Sequence, residues 1–183
     1  FCNSKVANHY LQFIAPTLNI MIGNVLSLPL DSRINCNDKV RDIVSSCMAF
    51  SKSDWDSFET SWDFKIHPLV KNHVSTISEA YNLWNSECES RFNKLKSNEE
   101  ELNRIFIDIY GLQDELDPYV DDKDVTVRKA DLVRDIKSFI SYAVGCIFGR
   151  YSLDVEGLAY AGGEWDSSKY STFIPDTDDI IPI

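Results

Sequence analysis

Between residues 70 and 95, apolar side chains recur at spacings of three and four: Val70, Val74, Ile77, Tyr81, Trp84, Cys88, Phe92 and Leu95. An α-helix turns once every 3.6 residues, so this spacing keeps one face dry along the whole stretch. The pattern predicts one long helix over residues 68–96, with Pro68 in the first turn, where a missing amide costs nothing. At 1.5 Å per residue it would be about 40 Å long. A rod of that length is a spacer or a bundle-forming element, and a chain built on it is mainly helical. Ser97-Asn98-Glu99-Glu100 then matches a capping box, with Ser97 as cap and Glu100 reaching back. A new helix or a bent continuation is expected to run on to Tyr110, dry along Leu102, Ile105, Phe106 and Ile109, and to stop at Gly111.

The flanking stretches read in the same way. Val6, Tyr10, Phe13 and Ile14 place a helix over residues 3–13, blocked by Pro16. Residues 17–22 form a short β-type run stopped by Gly23, and 24–28 suit a single helical turn. Val40, Ile43, Val44 and Cys47 stripe a helix over 37–50, capped by Asn35 or Asn37. Residues 51–67, dense in aromatics and acids, read as an ordered loop, and 113–124 as an acidic loop. The last helix spans 127–148 and ends at Gly149. Its half from Phe139 onward is apolar enough to be buried all round, with Gly145 permitting another backbone to approach. Residues 150–183 look irregular, with a turn at Gly162-Gly163. The fold class is therefore mainly α: a helical bundle or spacer with one long helix and a short β element near the N-terminus.

With 183 residues, 44% of them apolar, the chain can bury a real core. Its net charge of −11 is uneven: residues 81–183 hold 11 Lys/Arg against 21 Asp/Glu. A surface that grips phosphate carries a basic stripe, and this half is the opposite. The five cysteines, at 2, 36, 47, 88 and 146, are scattered and odd in number, which argues against a disulfide framework or a zinc ribbon. They read as free thiols in a reducing, cytoplasmic setting. No apolar run approaches the ~20 residues of a membrane span. The chain opens on Phe1 rather than Met and closes on Ile180-Ile181-Pro182-Ile183, so it is expected to be a piece of a larger protein.

Several strings carry a resemblance. Phe1-Cys2-Asn3-Ser4-Lys5, Pro16-Thr17-Leu18-Asn19 and Gly23-Asn24-Val25-Leu26-Ser27-Leu28-Pro29-Leu30 resemble the stretch after the catalytic region in adenine-specific DNA methyltransferases. They are also similar to the close of a target-recognition unit in type I specificity subunits. Leu102-Asn103-Arg104-Ile105-Phe106-Ile107-Asp108-Ile109-Tyr110-Gly111-Leu112 resembles a helix-and-stop segment of single-chain restriction–modification enzymes. The strings Asp54-Trp55-Asp56, Ser61-Trp62-Asp63-Phe64 and 140–151 resemble the BREX adenine-specific methyltransferase, a type IIG-like phage-defence family. The resemblance implies a parent protein that transfers a methyl group from S-adenosylmethionine to N6 of adenine in double-stranded DNA. It also implies a division into 1–35, the end of a methyltransferase or target-recognition-like segment; 36–163, a helical domain; and 164–183, an irregular tail.

The chemistry itself is missing from the sequence. Adenine N6 methylation in this family uses an Asn/Asp-Pro-Pro-Tyr/Phe loop around a flipped base. The prolines stand at 16, 29, 68, 118, 175 and 182, never adjacent. The seven glycines build no cofactor turn. No catalytic, cofactor-binding or metal residue is assigned. Asp54, Asp56, Glu59 and Asp63 could gather a cation but more often cap and turn. The acidic loop lacks the glycine and closing Glu of a calcium site. His9, His67 and His73 lack ligand spacing, and the four tryptophans suit core or interface better than base stacking. The best local basic group, Arg128, Lys129, Arg134 and Lys137, is the candidate nucleic-acid contact, with a solvated helix face as the plainer reading. The expected role is a non-catalytic segment joining catalytic and target-recognition parts. The alternative is an interaction module that docks other defence-system proteins through its acidic face, with no membrane involved.

Overall fold

The computed structural model describes residues 1–17 and 19–176. Helix α1 spans Lys5–Ile14. The Ser4 hydroxyl caps it by accepting from the Ala7 amide at 3.2 Å, and the Lys5 amide donates to Asn103 Oδ1. Helix α2 is Ile22–Leu26, α3 is Ser32–Asn35 and α4 is Asp38–Trp55. Helix α5 is Pro68–Lys71, α6 is Ile77–Tyr110 and α7 is Leu132–Ile147. Short 3₁₀ turns lie at Asp122–Asp124 and Ser167–Lys169.

No strand occurs among the described residues, so the β element expected over 17–22 is corrected; Leu18 lies outside those residues. A strand needs a partner edge, and nothing among the described residues offers one. Asn24 instead turns its Oδ1 back to the Met21 amide at 2.8 Å and starts a helical turn. Helix α4 starts where expected, with Asn37 accepting from the Val40 amide. It then runs past Phe50, through part of the predicted loop, with Lys52 paired to Asp56 one turn on.

The long helix is real but shifted. Pro68 does occupy a first turn, yet that helix closes after four residues. His73 then adopts φ +47°, a left-handed conformation no α-helix can contain. Helix α6 begins afresh at Ile77, where Thr76 Oγ1 accepts from the Glu79 amide. It passes through Ser97 without a break. Glu100 does not reach back; its Oε1 accepts from the Val120 amide, while Asn98 donates to Ser46. A capping box forms only where the chain enters a helix from outside, and the buried stripe of Phe92, Leu95 and Phe106 holds this one continuous. Gly111, at φ +68°, stops it as expected, with the Leu112 amide bonded to the Ile107 carbonyl.

Helix α7 starts five residues later than expected. Asp131 caps it through the Arg134 amide, and the preceding Arg128 amide is already committed to Asp54. Only one face of α7 is dry: Tyr142, Gly145 and Cys146 are buried, but Ile140 is 56% exposed, against the expectation of all-round burial. Gly149, at φ +72°, ends the helix, with the Arg150 amide returning to the Gly145 carbonyl.

The chain divides into two units. The first comprises Phe1–Ser51 and Arg91–Val127. Its core joins Val6, Ile34, Val40, Phe106 and Ile107, and a second cluster gathers Phe92, Leu95, Val120, Val125 and Val127. The other comprises Lys52–Ser90 and Arg128–Ile183. Its clusters are Phe64, Tyr142, Cys146 and Tyr151, and Leu69, Ala80, Trp84 and Cys88. None of the five cysteines is joined in a disulfide; Cys88 and Cys146 are buried. No helix among the described residues is long and apolar enough to cross a membrane.

Candidate functional site

The sequence singles out Arg128, Lys129, Arg134 and Lys137, and the second unit shows what each does. Arg128 lies in the extended stretch before α7. Its Nε donates to the buried Asp54 carboxylate at 2.9 Å, and its backbone amide donates to the other oxygen of that carboxylate. The guanidinium also sits 3.7 Å from the centre of the Phe58 ring. Arg134, in the first turn of α7, approaches the same ring at 5.4 Å. It donates through Nε to Asp135 and through a terminal nitrogen to the Lys129 carbonyl. The structure therefore brings the two arginines together around Phe58, each with a carboxylate. Lys129 and Lys137 are exposed.

Asp135 is the centre that sequence reasoning did not single out. It is 2% exposed, and its carboxylate accepts from the Trp84 indole at 2.9 Å, the Asp131 amide at 3.0 Å and Arg134. A buried carboxylate is tolerated only when its lone pairs are met, and here three donors meet them. The available signal was an acid in the first turn of a helix whose later positions are apolar, with a tryptophan on the neighbouring stripe. This carboxylate ties α6 to α7, and the Asp54–Arg128 pair ties the end of α4 to the stretch before α7.

His67 makes the second buried polar point. Its Nδ1 accepts from the Leu69 amide at 3.2 Å, capping α5, so the proton of the neutral ring sits on Nε2, which lies 3.3 Å from Ser138 Oγ. Burial pushes its pKa down to about 4, against a smaller opposing pull from Asp135. A histidine held neutral and capping a helix is a packing residue, as its sequence setting suggested.

The acidic residues that might have gathered a cation go elsewhere. Asp54 binds Arg128, Asp56 and Asp63 both bind Lys52, and Glu59 accepts from the Tyr151 hydroxyl. Among the described residues no cluster has the make-up of a metal site. In the acidic loop, Asp122 pairs with Lys96 and Asp117 accepts from the Tyr119 amide. Trp84 is buried, whereas Trp165 stacks on Tyr170 at 4.7 Å and Trp62 is fully exposed. A shallow groove of about 390 Å³ is lined by Phe148, Arg150, Leu158 and Tyr160.

No family model matches the chain. Two curated proteins do. The chain is 52% identical over 186 residues to the adenine-specific methyltransferase PglX of Lacticaseibacillus casei (strain Zhang), a match that takes in 99% of this chain and 15% of that protein. It is 30% identical over 205 residues to the adenine-specific methyltransferase BrxX of Escherichia coli O9:H4 (strain HS), covering 99% of this chain and 16% of that protein. The chain thus spans about 15% of the length of the relatives it matches, and over nearly all of its own length it is similar to these adenine-specific methyltransferases, the family that its sequence strings resemble.

Proposed function

We propose that this chain is a non-catalytic helical segment of a site-specific DNA adenine-N6 methyltransferase of a BREX-type phage-defence system. In that protein it joins the catalytic part to the target-recognition part and sets the distance between them. The observation that carries the reading is the pairing of two facts. Nearly the whole chain aligns with methyltransferases, yet its sequence contains neither an Asn-Pro-Pro-Tyr-type loop nor a Gly-rich cofactor turn. The parent, not this segment, would bind S-adenosylmethionine and double-stranded DNA. The 34 residues of α6 give a rod of roughly 50 Å at 1.5 Å per residue, a length suited to spacing two sites.

Deleting this segment from the parent methyltransferase is expected to abolish methylation at its DNA site. Sequencing of modified adenines in cells carrying the deletion tests this, and an unchanged methylation pattern refutes it. The acidic half favours a second reading, a module that docks partner defence proteins. Salt-sensitive capture of such a partner by the parent, lost when this segment is removed while methylation persists, supports that reading over the first.

A further inference from the structure

Residues 13–30 contain no Lys, Arg, Asp or Glu, in a chain where 26% of residues are charged. The described residues of this stretch are unburied throughout. Phe13 is 73% exposed, Met21 72%, Ile22 81% and Leu26 80%, with Ile20 and Leu30 also exposed. Helix α2, which carries two of these side chains and is entered at Met21, buries no residue at all. It is nonetheless placed: Asn24 donates to the Ile14 carbonyl, so α2 lies beside the end of α1. A five-residue helix has no stability of its own in water, since nucleation outweighs the few bonds it gains. An uncharged apolar surface of this kind is built to be covered, and its lack of cations makes it unfit for phosphate.

We infer that this surface docks against an uncharged, apolar face of another part of the same methyltransferase polypeptide, an inference that rests on the reading proposed above. The occupant is argued from length and charge. The greater part of each relative lies outside the matched stretch, so a parent of that size supplies ample further surface on the same chain. A tethered surface meets its target at high effective concentration, whereas a separate molecule must find it by diffusion. A neutral patch offers no electrostatic steering to a separate partner, and tethering removes the need for any.

Hydrogen exchange on the full-length parent tests the inference. Amides of residues 21–28 are expected to exchange at least ten-fold more slowly than their intrinsic rates, independently of protein concentration. The I22D/L26D variant of the full-length protein is expected to return them to near-intrinsic rates while amides of α6 keep theirs. Intrinsic rates in the unmodified protein overturn the inference, as does protection that survives I22D/L26D. Protection lost on dilution also overturns it, by assigning the surface to a second copy. Methylation assayed on the same unmodified sample separates the two claims: protection without adenine methylation leaves the docking standing and removes the methyltransferase reading.

Discussion

At the scale of single residues, the second unit is organised by buried polar groups. His67 is the one whose titration matters near neutral pH. Its folded pKa of about 4 lies below its ordinary value of 6.5, because burial disfavours the imidazolium. Above pH 6.5 the ring is neutral in both folded and unfolded chains and contributes no slope. Between pH 6.5 and 4 the unfolded chain takes up a proton that the folded one refuses, so stability falls as pH falls, by roughly 3 kcal/mol over the full window. Denaturant titrations at pH 7 and pH 5 are expected to show this loss, and His67→Gln to flatten it. A variant with the original slope would show that His67 is not its source. Asp54 offers a second prediction. It is 5% exposed and partnered by Arg128, so Asp54→Ala strands a guanidinium over Phe58 and is expected to cost about 3 kcal/mol in unfolding free energy. A loss well under 1 kcal/mol in urea denaturation would mean that Arg128 swings out to water unharmed.

At the scale of elements, helix ends separate what was legible in the sequence from what was not. Gly111 and Gly149 were readable as stops because their left-handed conformation is cheap only for glycine. Ser97 and Glu100 were misleading because a capping box describes an entry to a helix, and the chain is already helical there. Thr76 caps the true start of α6, and Thr76→Ala is expected to lower stability by about 1 kcal/mol, read as a shift in the denaturation midpoint. Gly145 was expected to admit another backbone, but the Tyr151 ring fills that space instead. A Cβ placed there would stand 2.6 Å from the ring. Gly145→Ala is therefore expected to destabilise the second unit by about 1–3 kcal/mol. Equal stability would show that Tyr151 moves aside freely.

At the scale of the whole molecule, charge decides which of its surfaces suit DNA. A net charge of −11 opposes phosphate, and Arg128 and Arg134 are already paired with carboxylates. If the parent touches DNA through this segment, Lys129 and Lys137 are the members of this basic group that are exposed. A K129A/K137A variant of the parent is expected to reduce the slope of log affinity against log salt by about two, uniformly across DNA sequences. An unchanged slope in a binding titration would remove both lysines from any phosphate contact. Truncating Arg128 is expected to appear as lost stability instead.

The periodic apolar stripes determined by themselves that the chain is mainly helical, that it contains one long helix, and where glycine stops it. These are properties of residues a few positions apart, which meet wherever the backbone is helical. Spacing could not decide that the long helix begins at Ile77, that the described residues of 17–22 form no strand, or that Asp135 accepts from Trp84. Each depends on partners brought from elsewhere along the chain: Asp135 is reached by an indole 51 positions away, and Asp54 by an arginine 74 positions away. A polar residue is buried only when such distant donors converge on it, and tertiary structure alone decides that convergence.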